Sequence, residues 1–190
     1  MITEMFEEVV GLARTRKLLS EQHFSVDGTL IQAWASQKSC RRKDDDSEPP
    51  TGAGRNSEAN FRGEKRSSET HESKIDRDAG LAKKGPGKEA RLSYTLHTVM
   101  ENRNGPIVKT AASHATGSAE REVAADLLAE LPGMKKRTSG ADKNYDRAGF
   151  VEDCHAMNVS PHVARNDNRA GGSAIDGRTS LHAGYMGSPP

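Results

Sequence analysis

The sequence predicts an α/β domain, a mixed sheet with flanking helices, interrupted by one long polar insertion. Three observations carry this. Leu92, Tyr94, Leu96 and Thr98 alternate with Ser93, Thr95, His97 and Val99 ahead of Asn102-Arg103-Asn104-Gly105, the pattern of a strand entering a hairpin. Val123, Ala124, Leu127, Leu128 and Leu131 recur at helical spacing and end at Pro132-Gly133. Short strand-like runs at 137–142 and 159–164 then bracket a second helical pattern through Phe150, Val151, Cys154 and Met157. Strands linked through helices, together with a hairpin, make a mixed sheet.

The elements follow in chain order. In residues 2–18, Ile2, Met5, Phe6, Val9, Val10 and Ala13 lie on one face of an amphipathic helix, and residues 1–20 are read as an N-terminal helical segment. That apolar stripe must pack on the domain or stay exposed. His23 to Ile31 reads as a strand, turning helical at Gln32-Ala33-Trp34, with Trp34 expected as a packing anchor. Residues 21–38 and 91–165 form the expected core. Between them, residues 39–90 carry few large apolar side chains, chiefly Phe61, Ile75 and Leu81. Such a segment buries too little to offset the entropy of ordering it, so disorder and protease sensitivity are expected. Its Asp44-Asp45-Asp46 run reads as solvated charge, because adjacent acids point in different directions.

Ile107 to His114 is the returning strand of the hairpin. Ser118 is the expected N-cap of the next helix, with Glu120 and Glu122 favourable in its first turn. The strand from Arg137 delivers Asp142 near its end. Asp146 is expected to cap the following helix and Asn158 to close it. Pro161 marks the last strand as short or at an edge. Residues 166–190 read as a polar, Gly-rich tail.

Composition sets outer limits. The 190 residues suit one domain; 33% are apolar and 29% charged, with a mean hydropathy of −0.79. A net charge of +1 does not by itself argue for nucleic acid. Arg41-Arg42-Lys43, Lys83-Lys84 and Lys135-Lys136-Arg137 read as solvated surface charge. Cys40 and Cys154 lack metal-ligand spacing and read as reduced thiols, Cys154 in the core. No apolar run reaches the ~18 residues of a membrane span. The acidic start through Glu4, Glu7 and Glu8 lacks a signal pattern, so no membrane association and a cytoplasmic location are expected.

Asp27 and Asp142 are the candidate catalytic and metal-binding residues. Each lies at or near the end of a short apolar or small-residue run, and in a mixed sheet of this kind the first strand is expected beside the one that carries Asp142, with the two carboxylates within reach of a shared ion. Phosphoryl transfer builds negative charge on the attacking and leaving oxygens, and Mg²⁺ held by carboxylates offsets it. His23, His97, His114, His155 and His162 share no short metal spacing and are expected in structural or surface roles. Arg91 and Arg178 suit phosphate contacts, but no pattern singles them out.

The wording around these aspartates is specific. His23-Phe24-Ser25-Val26-Asp27-Gly28-Thr29-Leu30-Ile31-Gln32-Ala33-Trp34-Ala35-Ser36 resembles the first-Asp motif of the DDE transposases of bacterial insertion sequences, in the insertion-sequence-five group. The resemblance continues through Glu48-Pro49-Pro50, Gly54-Arg55-Asn56, Gly63-Glu64-Lys65-Arg66-Ser67-Ser68-Glu69-Thr70-His71, and Met100-Glu101-Asn102-Arg103-Asn104-Gly105. It extends to Ala115-Thr116-Gly117-Ser118-Ala119-Glu120-Arg121-Glu122, Gly140-Ala141-Asp142-Lys143-Asn144-Tyr145-Asp146 and Ser173-Ala174-Ile175-Asp176-Gly177-Arg178-Thr179.

The resemblance implies a ribonuclease-H-like fold and Mg²⁺-dependent cutting and joining of double-stranded DNA at insertion-sequence ends. Asp27 and Asp142 match the family's first two catalytic carboxylates. The family's third, a Glu on a C-terminal helix, has no match, since no Glu follows Glu152. The chain is therefore expected to be a transposase-family fragment, truncated at both ends, lacking that helix, weak in Mg²⁺ binding, inactive, and prone to self-association. Two other readings stand beside this one: a non-catalytic DNA-binding or regulatory remnant, and an inert product of a decayed element.

Overall fold

A computed structural model describes residues 2–44, 66–85, 87–133, 135–181 and 185. The chain is mixed α/β and divides into two compact units. The first comprises Met1–Thr29, Leu96–Ser113 and Gly117–Pro190; the second comprises Leu30–Thr95 and His114–Thr116.

The elements are α1 (Ile2–Thr15), β1 (His23–Gln32), β2 (Cys40–Arg42), β3 (His71–Ser73), β4 (Gly80–Ala82), β5 (Arg91–Glu101) and β6 (Ile107–His114). They continue with α2 (Ala119–Ala129), β7 (Arg137–Ala141), α3 (Ala148–Ala156), β8 (Val159–Val163) and α4 (Gly177–Ser180). In the first unit β5, β1, β7 and β8 lie side by side in that order, and β6 pairs with β5. β7 runs parallel to both β1 and β8. β8 ends the row, so Pro161 does sit on an edge strand.

The hairpin turn between β5 and β6 is organised by a buried carboxylate. Glu101 accepts the Arg103 and Asn104 amides at 3.0 and 3.1 Å, together with the Ser20 hydroxyl and amide. Burial alone would raise its pKa; these donors prevail and lower it. Gly105 completes the turn at φ +79°.

α2 buries Ala119, Ala124, Ala125, Leu127 and Leu128. Of these, Ala124, Ala125, Leu127 and Leu128 join Phe24, Val26, Val99, Phe150, Val151, Val159 and Val163 in one apolar core. Ser118 is not the expected side-chain cap: its backbone is helical and its hydroxyl makes no cap bond. Its carbonyl accepts the Arg121 amide at 3.0 Å instead, so a backbone turn starts the helix. Arg137, expected on the surface, is buried. Its Nη2 donates to the carbonyls of Leu131 (3.2 Å), Pro132 (2.5 Å) and Gly133, which follow α2. A cation against those carbonyls completes the negative end of the helix.

Asp146 also departs from expectation. Arg147, not Asp146, stands at the N-cap of α3. Asp146 is fully buried and accepts the amides of Asn166 (2.6 Å) and Ala174 (2.7 Å), while Arg169 bonds its carbonyl. Residues 166–181 are thus tied down; Ile175 is buried and Asp176 caps α4. Asn158 follows α3 at φ +59°, the expected left-handed closing residue. Cys154 is fully buried on α3, and burial pushes its thiol pKa up to about 12.

α1 shows its apolar stripe. It buries no residue, and Ile2, Met5, Val9 and Leu12 are exposed. No helix among the described residues is long and apolar enough to cross a membrane.

The second unit falls largely within the segment expected to be disordered, and its described parts are ordered. β2 pairs antiparallel with β3, and β4 with the start of β5. Ala33, Cys40, Ala79 and Leu92 form a small core. Polar contacts supply the rest. Ser39 Oγ lies 2.8 Å from Ser73 Oγ, which accepts the amides of Ile75 (3.2 Å) and Asp76 (3.0 Å). The Tyr94 hydroxyl donates to Asp76 at 2.5 Å, and that bond raises its pKa to about 12. Trp34 is not the expected anchor but is fully exposed. The neighbouring Ala33 is buried instead, its amide bonded to the Leu92 carbonyl at 2.8 Å, and the chain bends at Trp34 rather than turning helical at Gln32-Ala33-Trp34 as expected. Most of the Asp44-Asp45-Asp46 run and the motifs from Glu48 to Lys65 lie outside the described residues.

Candidate carboxylate site

β1 and β7 pair in register, His23 with Thr138, Phe24 with Ser139 and Ser25 with Gly140. The last pair leaves Asp27 and Asp142 each two residues further along parallel chains. The two aspartates therefore follow the last paired residues of parallel neighbouring strands by the same two steps. Small residues let β7 lie close here: a Cβ on Gly140 would stand 3.2 Å from Ser25 Oγ. Both aspartates are exposed, since Phe24 and Val26 take the buried positions of β1.

Asp142 turns the chain. Its carboxylate accepts the Asn144 amide at 2.7 Å and the Asn144 side-chain amide at 3.3 Å, opening a 3-10 turn, Lys143–Tyr145. A carboxylate has about four acceptor positions, so this capping leaves room for an ion. The turn brings Tyr145 back beneath it, with the Tyr145 amide bonded to the Asp142 carbonyl at 3.1 Å.

A third acid stands nearby that the sequence reading treated only as a helix-start charge. Glu120 lies in the first turn of α2, and its side chain packs on β1 at Gly28. A Cβ added to Gly28 would meet Glu120 Cγ at 2.7 Å and its Cδ and Oε1 at 3.1 Å. Glycine directly after Asp27 is what admits this side chain. Burial, then Asp142, then Asp27, raise the Glu120 pKa, and only Arg121 opposes them. The signal available beforehand was slight: a glycine following the first aspartate leaves space that a facing element must fill.

Tyr145 completes the surroundings. It is 1% exposed, and its hydroxyl has no hydrogen-bond partner among the described residues. An unsatisfied buried hydroxyl costs about 1–3 kcal/mol. Burial raises its pKa, followed by Glu120, Asp27 and Asp142 in that order, with Arg121 opposing. The ring packs edge-on to Phe150, centroids 5.1 Å apart, which fixes it in the core.

The donor set suits a hard divalent cation: carboxylate oxygens, an opening made by a glycine, and one uncommitted hydroxyl. As they stand, no three His, Cys, Asp or Glu side chains among the described residues are gathered closely enough to hold an ion. His97 is buried with its Nε2 2.8 Å from Ser113 Oγ, and His23 Nδ1 lies 2.8 Å from Thr138 Oγ1; both make structural contacts between side chains.

Comparison with protein-family models, curated proteins and solved structures found no significant match.

Proposed function

We propose that this chain is of the DDE transposase type, with a ribonuclease-H-like core, and that Asp27 and Asp142 are its metal-binding carboxylates for phosphoryl-transfer chemistry on double-stranded DNA. The observation that carries the reading is their matching position, each two residues beyond the last paired residues of the parallel strands β1 and β7. Mg²⁺ bound there would offset charge on the attacking or leaving oxygen of a phosphodiester. The chain's own contribution is to orient. The β1–β7 ladder fixes the spacing of the pair, Asn144 holds the Asp142 carboxylate, and the Phe24–Val26 face anchors the strand from below. The cytoplasm, where insertion-sequence DNA resides, is the proposed location.

Cutting and joining at a useful rate require a second ion stabilising the opposite oxygen, and the two aspartates alone provide for one. The expected result with Mg²⁺ or Mn²⁺ and DNA bearing insertion-sequence ends is binding without strand cleavage. Cleavage by the parent chain that disappears in Asp27→Ala would show the catalytic site to be complete. The absence of any metal or DNA binding would remove the proposal.

A second reading, a regulatory protein acting through association with itself or with transposase subunits, draws on the exposed stripe Ile2, Met5, Val9 and Leu12 of α1. Concentration-dependent sedimentation that Met5→Lys abolishes would support it.

A further inference from the structure

We infer that Glu120 is a third ligand of the Asp27–Asp142 site, and that the three carboxylates together hold one divalent cation beside the Tyr145 hydroxyl. The inference rests on the proposed metal role of the two aspartates and extends it to a residue on a different element.

The first support is steric. A glutamate in the first turn of a helix ordinarily serves the helix from the solvent side, as the exposed Glu122 does. Glu120 instead lies against β1, in space open only because residue 28 has no side chain, with its Oε1 3.1 Å from where a Cβ would be. Carboxylates from three separate places, β1, the end of β7 and the start of α2, thereby approach one region of the first unit.

The second support is Tyr145. Its hydroxyl is buried without a partner among the described residues, and Glu120 is the acid that acts on it most strongly. A hydroxyl kept unbonded beside three acids suits an ion's water shell, because a water bound to a cation both donates and accepts hydrogen bonds. Among the described residues Arg121 is the cation that acts on both Glu120 and Tyr145, and its Nη2 is engaged with the Gly117 carbonyl at 2.9 Å. Like charge would drive three bare carboxylates apart, and a cation among them reverses that balance. Glu120 thus offers a carboxylate where the family resemblance left the third one unmatched.

The test is Tb³⁺ luminescence sensitised by tyrosine, on the full chain, with Mg²⁺ as competitor and calorimetry as an independent measure of binding. The parent should bind Tb³⁺ with sensitised emission that Mg²⁺ displaces. Glu120→Gln should weaken both ions by about tenfold or more, as should Asp27→Asn, while Glu122→Gln leaves them unchanged. Gly28→Ala, which displaces an intact Glu120, should weaken binding too and guards against an artefact of the Gln substitution. Tyr145→Phe should lose most of the emission while calorimetry still registers binding. If Glu120→Gln and Gly28→Ala bind as the parent does but Asp27→Asn and Asp142→Asn do not, the inference fails and the aspartate pair stands. If no acidic variant changes binding, or the parent does not bind, both fail. A Tyr145→Phe variant as bright as the parent would also overturn the placement.

Discussion

The two units of this chain are held together by different means. In the first, Phe24, Val26, Val99, Leu127, Leu128, Phe150, Val151, Val159 and Val163 form one continuous apolar core. In the second, Ala33, Cys40, Ala79 and Leu92 make a small one, and Ser39, Ser73, Asp76 and Tyr94 bond to one another and to nearby amides. Apolar burial is non-directional and grows with area. Hydrogen bonds require particular atoms in particular places and add little net stability each. The first unit should therefore tolerate shape-preserving exchange in its core, whereas the second should not tolerate loss of a single hydroxyl. The carboxylate site lies in the first, on the more robust support.

The largest effect that would break this comparison is expected at Leu128, 1% exposed on α2. Leu128→Ala should cost about 2–5 kcal/mol in urea unfolding, through lost burial and the cavity left behind. Leu128→Met should cost less than about 1.5 kcal/mol. Equal losses from the two would mean that the core depends on exact shape.

A smaller effect is expected at Ser73, which is fully buried and whose hydroxyl meets two amides and Ser39. Ser73→Ala should cost about 1–3 kcal/mol by leaving those amides unpaired. Hydrogen exchange should show the loosening at residues 71–76 and not at Val151 or Leu128. A uniform change over both units would show that they unfold as one.

The smallest effect sharpens the comparison through pH. Asp146 and Glu101, both in the first unit, titrate below their ordinary values of 3.8 and 4.5. The unfolded chain therefore takes up protons first as pH falls. The stability they supply is complete above about 4.5 and is lost as pH drops through their folded values. The first unit should weaken on acidification through this window. Asp146→Ala together with Glu101→Ala should flatten the pH dependence while lowering stability at neutral pH.

The same contrast explains what the sequence could reveal. β5, β6, α2 and α3 were legible because each buries an apolar face with a period of two or 3.6. β2, β3 and β4 were not: each is three residues long, and their segment is anchored by serine hydroxyls and a tyrosine–aspartate bond that leave no periodic trace. Trp34 misled because hydrophobicity does not tell whether a side chain at a bend faces the core or the solvent. Arg137 misled because its buried guanidinium is solvated by carbonyls after α2, from a neighbouring part of the chain. Asp27 and Asp142 stood out through local wording. Glu120 did not, since an acid at a helix start already has an ordinary explanation and its approach to Gly28 exists only once α2 packs on β1.

The Asp146 carboxylate has a consequence for which residues this chain can accept there. Its two oxygens are committed separately, Oδ2 to the Asn166 amide and Oδ1 to the Ala174 amide. Asparagine matches aspartate in size and outline, yet one of its two terminal atoms carries hydrogens. Either orientation would set N–H against N–H. The position is therefore closed to its nearest look-alike, and glutamate, one methylene longer, would overshoot both amides. Few single-step exchanges would be accepted at this site, although it takes no part in any chemistry proposed for the chain.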